Sequence, residues 1–448
     1  MFSKNHMKIY KTFFALVFPV MLQQIISMSL NVVDNFMVAG LGNESVAAVS
    51  FVNRFYFVFI LFIYGVVSGT GVFISQYFGA KNFLMLKKIF GIGMISSVFM
   101  ANMFFFLIIF YKNFLIGLFT SDKIVFDLAI DYLYIMSFTF NFSAMSFCIT
   151  VSLRSIGVNR PALYITIFAT VVNTILNYIL IYGNFGFDAM GVKGAAIGTL
   201  VARIFEFFAF LAIIMQKKYN FKGNIKEYFG IPKEVLKKLI NVSTPIFFAE
   251  SFWVVGTFFL GVAYAKGGTI FAVGSAISDL LINIGVTVFL GVATSISVIL
   301  GNNIGAKKIK YVMVMSKILM RVVFVMSFIV VIVCLVSIKP VLMLYKIDPV
   351  NLDLIVKSMY VTSFFMFVKM LNWAIIVGMM RSGGDTKVAL LFDLLFLWLY
   401  AIPIAFFGVI YLKLELYEVM FLVYLEEVIK FGFAFYRYKT KKWIKILV

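Results

Sequence analysis

Between residues 12 and 436 the chain carries a dozen apolar stretches, each long enough to cross a bilayer, and that pattern fixes the solvent in which it folds. They run at about 12–38, 48–73, 89–110, 126–152, 161–182, 193–215, 236–263, 271–300, 312–335, 350–380, 387–410 and 415–436. A hydrocarbon core about 30 Å thick takes roughly 20 apolar residues at about 1.5 Å each. Hydrophobic residues make up 63% of the sequence and charged residues 13%, against roughly 45–50% and about 25% in soluble domains. No water-soluble fold hides that much apolar surface. The expected architecture is an all-α polytopic membrane protein of twelve transmembrane helices.

A net charge of +20 would point to nucleic acid in a soluble protein, but here the charges sit in alternate loops. The start (Lys4, Lys8, Lys11), the loop with Lys81, Lys87 and Lys88, the middle segment Lys217 to Lys238, the loop Lys307 to Arg321 and the tail Lys430 to Lys445 are basic. About 28 basic residues fall on that side and about 9 on the other, which is the positive-inside asymmetry. Both termini are expected in the cytoplasm, and nucleic acid is not an expected partner. The first apolar run continues past residue 30 with no small-residue cleavage site, so it reads as the first span rather than a signal peptide. Cys148 and Cys334 lie inside spans and imply no disulfide. Lys far outnumbers Arg, with much Phe, Ile and Asn, which fits an AT-rich bacterial genome and hence a bacterial plasma membrane.

The chain repeats itself. A shift of 226 residues places Pro19 on Pro245, Gly65-Val66 on Gly291-Val292, and Gly79-Ala80-Lys81 on Gly305-Ala306-Lys307. A shift of 227 places Arg154-Ser155-x-Gly157 on Arg381-Ser382-x-Gly384. The expected organisation is an N-lobe at 1–215, a basic cytoplasmic linker at 216–235 and a C-lobe with its basic tail at 236–448. Six spans per half make the repeats parallel, enclosing a central cleft. Pro19 and Pro245 favour a kink that serves packing or gating. Gly194 and Gly198 permit close helix contact.

A carboxylate at mid-bilayer costs roughly 2.5–3.5 kcal/mol on insertion scales, so each one needs a reason. Arg203 and Glu206 can neutralise each other three residues apart, and Glu426 and Glu427 can pair with Lys430. Asp34 differs: Asn31 and Asn35 flank it, and no cation follows Lys11 in its helix. Such a group binds a proton or a small cation through oxygen ligands. Asn173 and Asn177 share one face of the fifth span, and Thr199 adds a hydroxyl from the sixth. The four side chains form a candidate proton or Na+ site, or the amides merely bridge helices. In the second half Glu250 falls on Gln24 under the 226 shift, and Lys369 needs a partner such as Glu250 or Asp393, or an aqueous cavity to reach into. Lone His6 lies in the N-terminal tail. No phosphate-binding loop, metal-spaced His/Cys cluster or nucleophile–base motif occurs.

Several segments resemble the multidrug and toxic compound extrusion (MATE) family: Asn31-Val-Val-Asp34, Val38-Ala-Gly40-Leu-Gly42, Gln76-Tyr-Phe-Gly79-Ala-Lys81, Leu153-Arg154-Ser155-Ile-Gly157, Asn173-x-x-x-Asn177, Met190-Gly-Val-Lys-Gly194-Ala-Ala-Ile-Gly-Thr199 and Arg381-Ser-Gly-Gly-Asp385-Thr386. The resemblance implies a two-lobed antiporter that exports cationic or amphipathic compounds while H+ or Na+ enters, with no other cofactor. It maps the first-span carboxylate on Asp34 and the N-lobe cation site on Asn173, Asn177 and Thr199. Some members carry Asp where Asn177 stands. It matches Glu250 to a seventh-span acid, while the expected tenth-span Asp is missing and Lys369 lies close by. Lipid contacts and a monomeric state are expected. The rivals are a lipid-linked oligosaccharide flippase of a related fold, which wants a more cationic cleft, and a membrane-embedded enzyme, for which no convincing residue set is present.

Overall fold

The computed structural model describes residues 2–343, 345 and 347–448, without the side chains of residues 2–6, 8 and 350. The His6, Lys4 and Lys8 side chains and Lys346 therefore lie outside the described part. Every regular element among the described residues is helical. The helices are α1 (Phe2–Ala39), α2 (Asn43–Gly79), α3 (Phe83–Gly117), α4 (Lys123–Ser137), α5 (Thr139–Ser155), α6 (Arg160–Tyr182), α7 (Val192–Ile214), α8 (Lys233–Ala265), α9 (Thr269–Gly305), α10 (Ile309–Met343), α11 (Pro349–Trp373), α12 (Thr386–Tyr411) and α13 (Leu416–Lys439).

Ten of these are long and apolar enough to cross a membrane, and α4 with α5 makes an eleventh span bent by 45°. The sequence suggests one straight span at 126–152. The break has a local cause: the Ser137 hydroxyl donates to Tyr134 O (2.7 Å) and the Thr139 hydroxyl to Met136 O (2.6 Å), competing with the backbone ladder where the helix bends. The twelfth expected span, α13, is less apolar than the others because it carries Glu426, Glu427 and Lys430. In α12, wide π-type turns at Leu394–Ala401 and Phe407–Tyr411 flank Pro403, whose ring clashes with a carbonyl one turn back. A third π-type stretch, Ala374–Met380, continues α11.

The internal repeat reappears turn by turn. Lys81 and Lys307 both take left-handed backbone, at φ 59° and 57°. Their N–H groups donate to Phe78 O (3.0 Å) and Ile304 O (2.9 Å). Gly157 (φ 82°) and Gly384 (φ 76°) end the Arg-Ser turns, donating to Arg154 O (2.8 Å) and Arg381 O (2.9 Å). A left-handed residue after a helix satisfies orphan carbonyls at its C-terminus, and glycine takes that backbone without steric cost.

Contacts divide the chain into two compact units, one Leu22–Leu239 and the other Met1–Met21 with Ile240–Val448. The boundary differs from 215/216 and 235/236 at both ends. Ile9, Phe13, Leu16 and Val17 of α1 belong to the same apolar core as Phe289, Ile296 and Leu319. Segment 216–235 docks on the first unit. Phe221 is buried with its ring 5.1 Å from that of Phe90. The Tyr228 backbone fills the space where Gly91 would carry a Cβ. Lys87 Nζ donates to Glu227 Oε2 at 2.8 Å and Lys88 Nζ to Gly230 O at 2.8 Å.

The Lys87 hydrogen bond and charge hold the Glu227 carboxyl below its ordinary range. A depressed folded-state value means the contribution is present at neutral pH, above the unfolded value of about 4.3, and is lost as pH falls through the folded value. Acidification, or Lys87→Met at neutral pH, should therefore speed amide hydrogen exchange in segment 221–230 first. Equal protection at both pH values would contradict this docking role.

At the other end Asp385, fully buried, accepts from Arg437 Nε (2.7 Å) and Nη2 (3.2 Å) and from Lys445 Nζ (2.6 Å). The Lys445 N–H also donates to Gly383 O at 3.0 Å. Trp443 is buried between them, so the segment after α13 straps the turn between α11 and α12.

Candidate functional site

Within the first unit, helical spacing brings the sequence-selected polar residues into one hydrogen-bonded chain. Asn173 and Asn177, one turn apart on α6, are both buried. Asn177 Nδ2 donates to Asp34 Oδ1 of α1 at 2.8 Å and to Asn173 Oδ1 at 3.3 Å. Asn173 Nδ2 donates to Thr199 Oγ1 of α7 at 3.3 Å, and Thr199 Oγ1 donates to Ala195 O at 3.0 Å. Asn177 Nδ2 donates to the carboxylate, while Asn173 Nδ2 and Thr199 Oγ1 donate away from it, toward Thr199 and Ala195.

Close approach of α7 to α6 makes this chain possible. A Cβ on Gly194 would meet Leu180 O at 2.5 Å, and one on Gly198 would collide with Asn177 Oδ1. Gly198→Val should push Asn177 off Asp34 and destabilise by about 1–3 kcal/mol, the usual cost of overpacking. The readout is thermal unfolding in detergent, and a variant as stable as the parent would refute the packing role.

Charge around the site is balanced locally. Arg203 Nη1 pairs with Glu206 Oε2 at 2.7 Å, three residues apart. Arg203 and Tyr132 both feel the Asp34 charge. No group of three or more His, Cys, Asp or Glu forms a metal cluster among the described residues. One carboxylate with amide and hydroxyl oxygens is a donor set for a proton or a hard monovalent cation.

In the second unit the expected partners of Lys369 are corrected. Its Nζ lies 3.8 Å from Glu427 Oε1 and 5.9 Å from the Tyr424 ring centre. Glu250 Oε1 pairs instead with Arg381 Nη1 at 2.6 Å. Asp393, half-buried, forms no ion pair within 4 Å among the described residues and lies in the fields of Lys430, Arg381, Glu250 and Glu427. Lys369 therefore does not pair with Glu250. The reason is packing: α11 lies along α13 and delivers Lys369 to its acids.

The first unit holds the counterpart of the Glu250 pair, which sequence reading missed. Arg154 Nη2 donates to Gln23 Oε1 at 2.6 Å, and Gln23 Nε2 donates to Thr166 Oγ1 at 2.8 Å. Both arginine contacts span 131 residues. The 227 shift that aligns the arginines also sets Gln23 under Glu250, so the signal was present and the 226 register hid it.

An all-helical fold with a repeated turn chemistry and ten to eleven helices apolar enough to span a bilayer defines a polytopic membrane protein. The MatE family profile matches residues 19–179 and again 245–407, two copies whose starts are offset by 226 residues. The chain belongs to the MatE family.

It is similar over 92% of its length, at 24% identity, to the probable multidrug resistance protein YoeA of Bacillus subtilis, covering 90% of that protein. Over 91% of its length it is 22% identical to the probable multidrug resistance protein NorM of Thermotoga maritima, covering 88% of it. Its fold matches the crystal structure of the Vibrio cholerae MATE transporter VcmN in the bent form, with TM-score 0.87 and 18% identity over 98% of each chain.

Proposed function

We propose that the chain is a cation-coupled antiporter, exporting cationic or amphipathic organic compounds by alternating access while H+ or Na+ enters, with Asp34 as the coupling carboxylate. The carrying observation is the chain Asp34–Asn177–Asn173–Thr199. Ionised Asp34 attracts an organic cation, and Phe and Met side chains add cation–ring and sulfur contacts of about 0.5–2 kcal/mol. A proton or sodium ion arriving from outside neutralises Asp34 and helps expel the compound. Relatives named for multidrug resistance support the substrate class. One-for-one exchange with a monovalent organic cation moves no net charge and is driven by the pH or sodium gradient alone, whereas export of a neutral compound also gains about 2.3 kcal/mol per 100 mV, roughly a 50-fold concentration factor.

The protein works as a monomer among the lipids of a bacterial plasma membrane, with both termini cytoplasmic and no nucleic-acid partner. Dye efflux in everted vesicles, with ionophores collapsing the proton and sodium gradients separately, tests this reading. Efflux that persists when both gradients are gone would overturn it.

A further inference from the structure

We propose that Glu426 on α13 is a proton-binding carboxylate, a second proton site in the unit that does not contain Asp34. Its surroundings are unequal to those of its neighbour. Glu427 is fully engaged: Lys430 Nζ lies 3.3 Å from Oε2, Lys369 Nζ 3.8 Å from Oε1, and Asn372 Nδ2 donates to Oε2 at 2.7 Å. Glu426 has one ion contact, Oε1 to the same Lys430 at 3.5 Å. Its Oε2 is buried and accepts no hydrogen bond within the described residues, and neither does Asn372 Oδ1. Glu426 is 8% exposed and Asn372 0%.

A buried acceptor without a donor is costly, and more so when it shares an anionic group. Both carboxylates contact Lys430, and Glu427 has Lys369 as well. Of the facing groups, Lys430, Glu427 and Tyr424 come from α13 itself, Lys369 from α11, Tyr264 from α8 and Tyr400 from α12. Asp279 of α9 and Asp393 of α12 lie in the fields of Lys369 and Lys430 and add negative charge to the network. Arg381 is taken by Glu250.

A proton on Oε2 removes the unpartnered anionic acceptor. A sodium ion would stand beside the Lys430 ammonium, with Lys369 one carboxylate away, and like charges repel strongly in a low dielectric. A proton needs no coordination shell. Hydronium from the aqueous phase transfers it, an O–H bond forms at Oε2 and water leaves, while Lys430 keeps its pair with Glu427.

Any role of this proton in transport rests on the antiport reading above, but the binding itself does not. The test is infrared difference spectroscopy between alkaline and acid pH on the purified full-length protein, carried out in the Asp34→Asn background. The protonated-carboxyl C=O band that grows on acidification should lose the equivalent of one carboxyl in Glu426→Gln, and its midpoint should shift in Glu426→Asp, which keeps a titrating group if the amide variant fails to fold. A band unchanged in both variants, or a Glu426 contribution that does not vary with pH, would make the cluster an ion-paired bolt between α11 and α13 and overturn the proposal. Undiminished efflux by Asp34→Asn would remove the antiport reading and leave this band intact, so the two ideas fail separately.

Discussion

Asp34→Asn is expected to abolish ion-driven efflux while leaving the protein folded. The amide has the carboxylate's shape and still offers an oxygen to Asn177 Nδ2, now 2.8 Å from Asp34 Oδ1. The hydrogen bond from Asn177 changes from charge-assisted to neutral, at a cost of about 1 kcal/mol. The functional loss is much larger. Without an ionisable group, the ion that enters can no longer compete with the compound that leaves, and accumulation driven by the ion gradient disappears. Efflux driven by an imposed proton or sodium gradient in vesicles measures it, with unfolding in detergent as the control. Full efflux from a well-folded Asp34→Asn protein would leave Asp34 a helix-bridging residue.

Arg381→Met should strongly destabilise the second unit. It leaves Glu250 charged, half-buried and without its 2.6 Å partner, and breaking a buried pair from one side costs about 3–5 kcal/mol. Glu250→Gln should be far milder, because the first unit joins Arg154 to Gln23 at the equivalent place with a 2.6 Å hydrogen bond. The double variant Arg381→Met with Glu250→Gln should regain most of the loss, since no buried charge is left alone. Thermal unfolding of the three proteins in one detergent reads this directly. Equal losses in Arg381→Met and in the double variant would show that the arginine stem, not its charge, carries the stability.

Much of this was legible in the residues. Twelve apolar segments and the 226-residue offset define the helices and the repeat, because span length and turn chemistry are local properties. Asp34, Asn173, Asn177 and Thr199 meet because a four-residue spacing on α6 is a face, and a face can be read from sequence. Partner choice across helices is different. Lys369 has several acids within a plausible register, and only the side-by-side packing of α11 and α13 selects Glu427 over Glu250 or Asp393. The bend at Phe138 depends on two hydroxyls turning back on their own helix, which apolar patterning does not register. The place of residues 1–21 in the second unit depends on tertiary contacts of α1 that no local signal encodes.

The strap over the turn after α11 has a consequence for biosynthesis. Asp385 leaves the ribosome 52 residues ahead of Arg437 and 60 ahead of Lys445. For that interval its carboxylate must stay in water or be neutralised, because burying it uncompensated is prohibitive. The turn therefore closes late, after α13 has been inserted, and a nascent chain stalled before residue 445 would keep this corner of the second unit open to proteases and quality control.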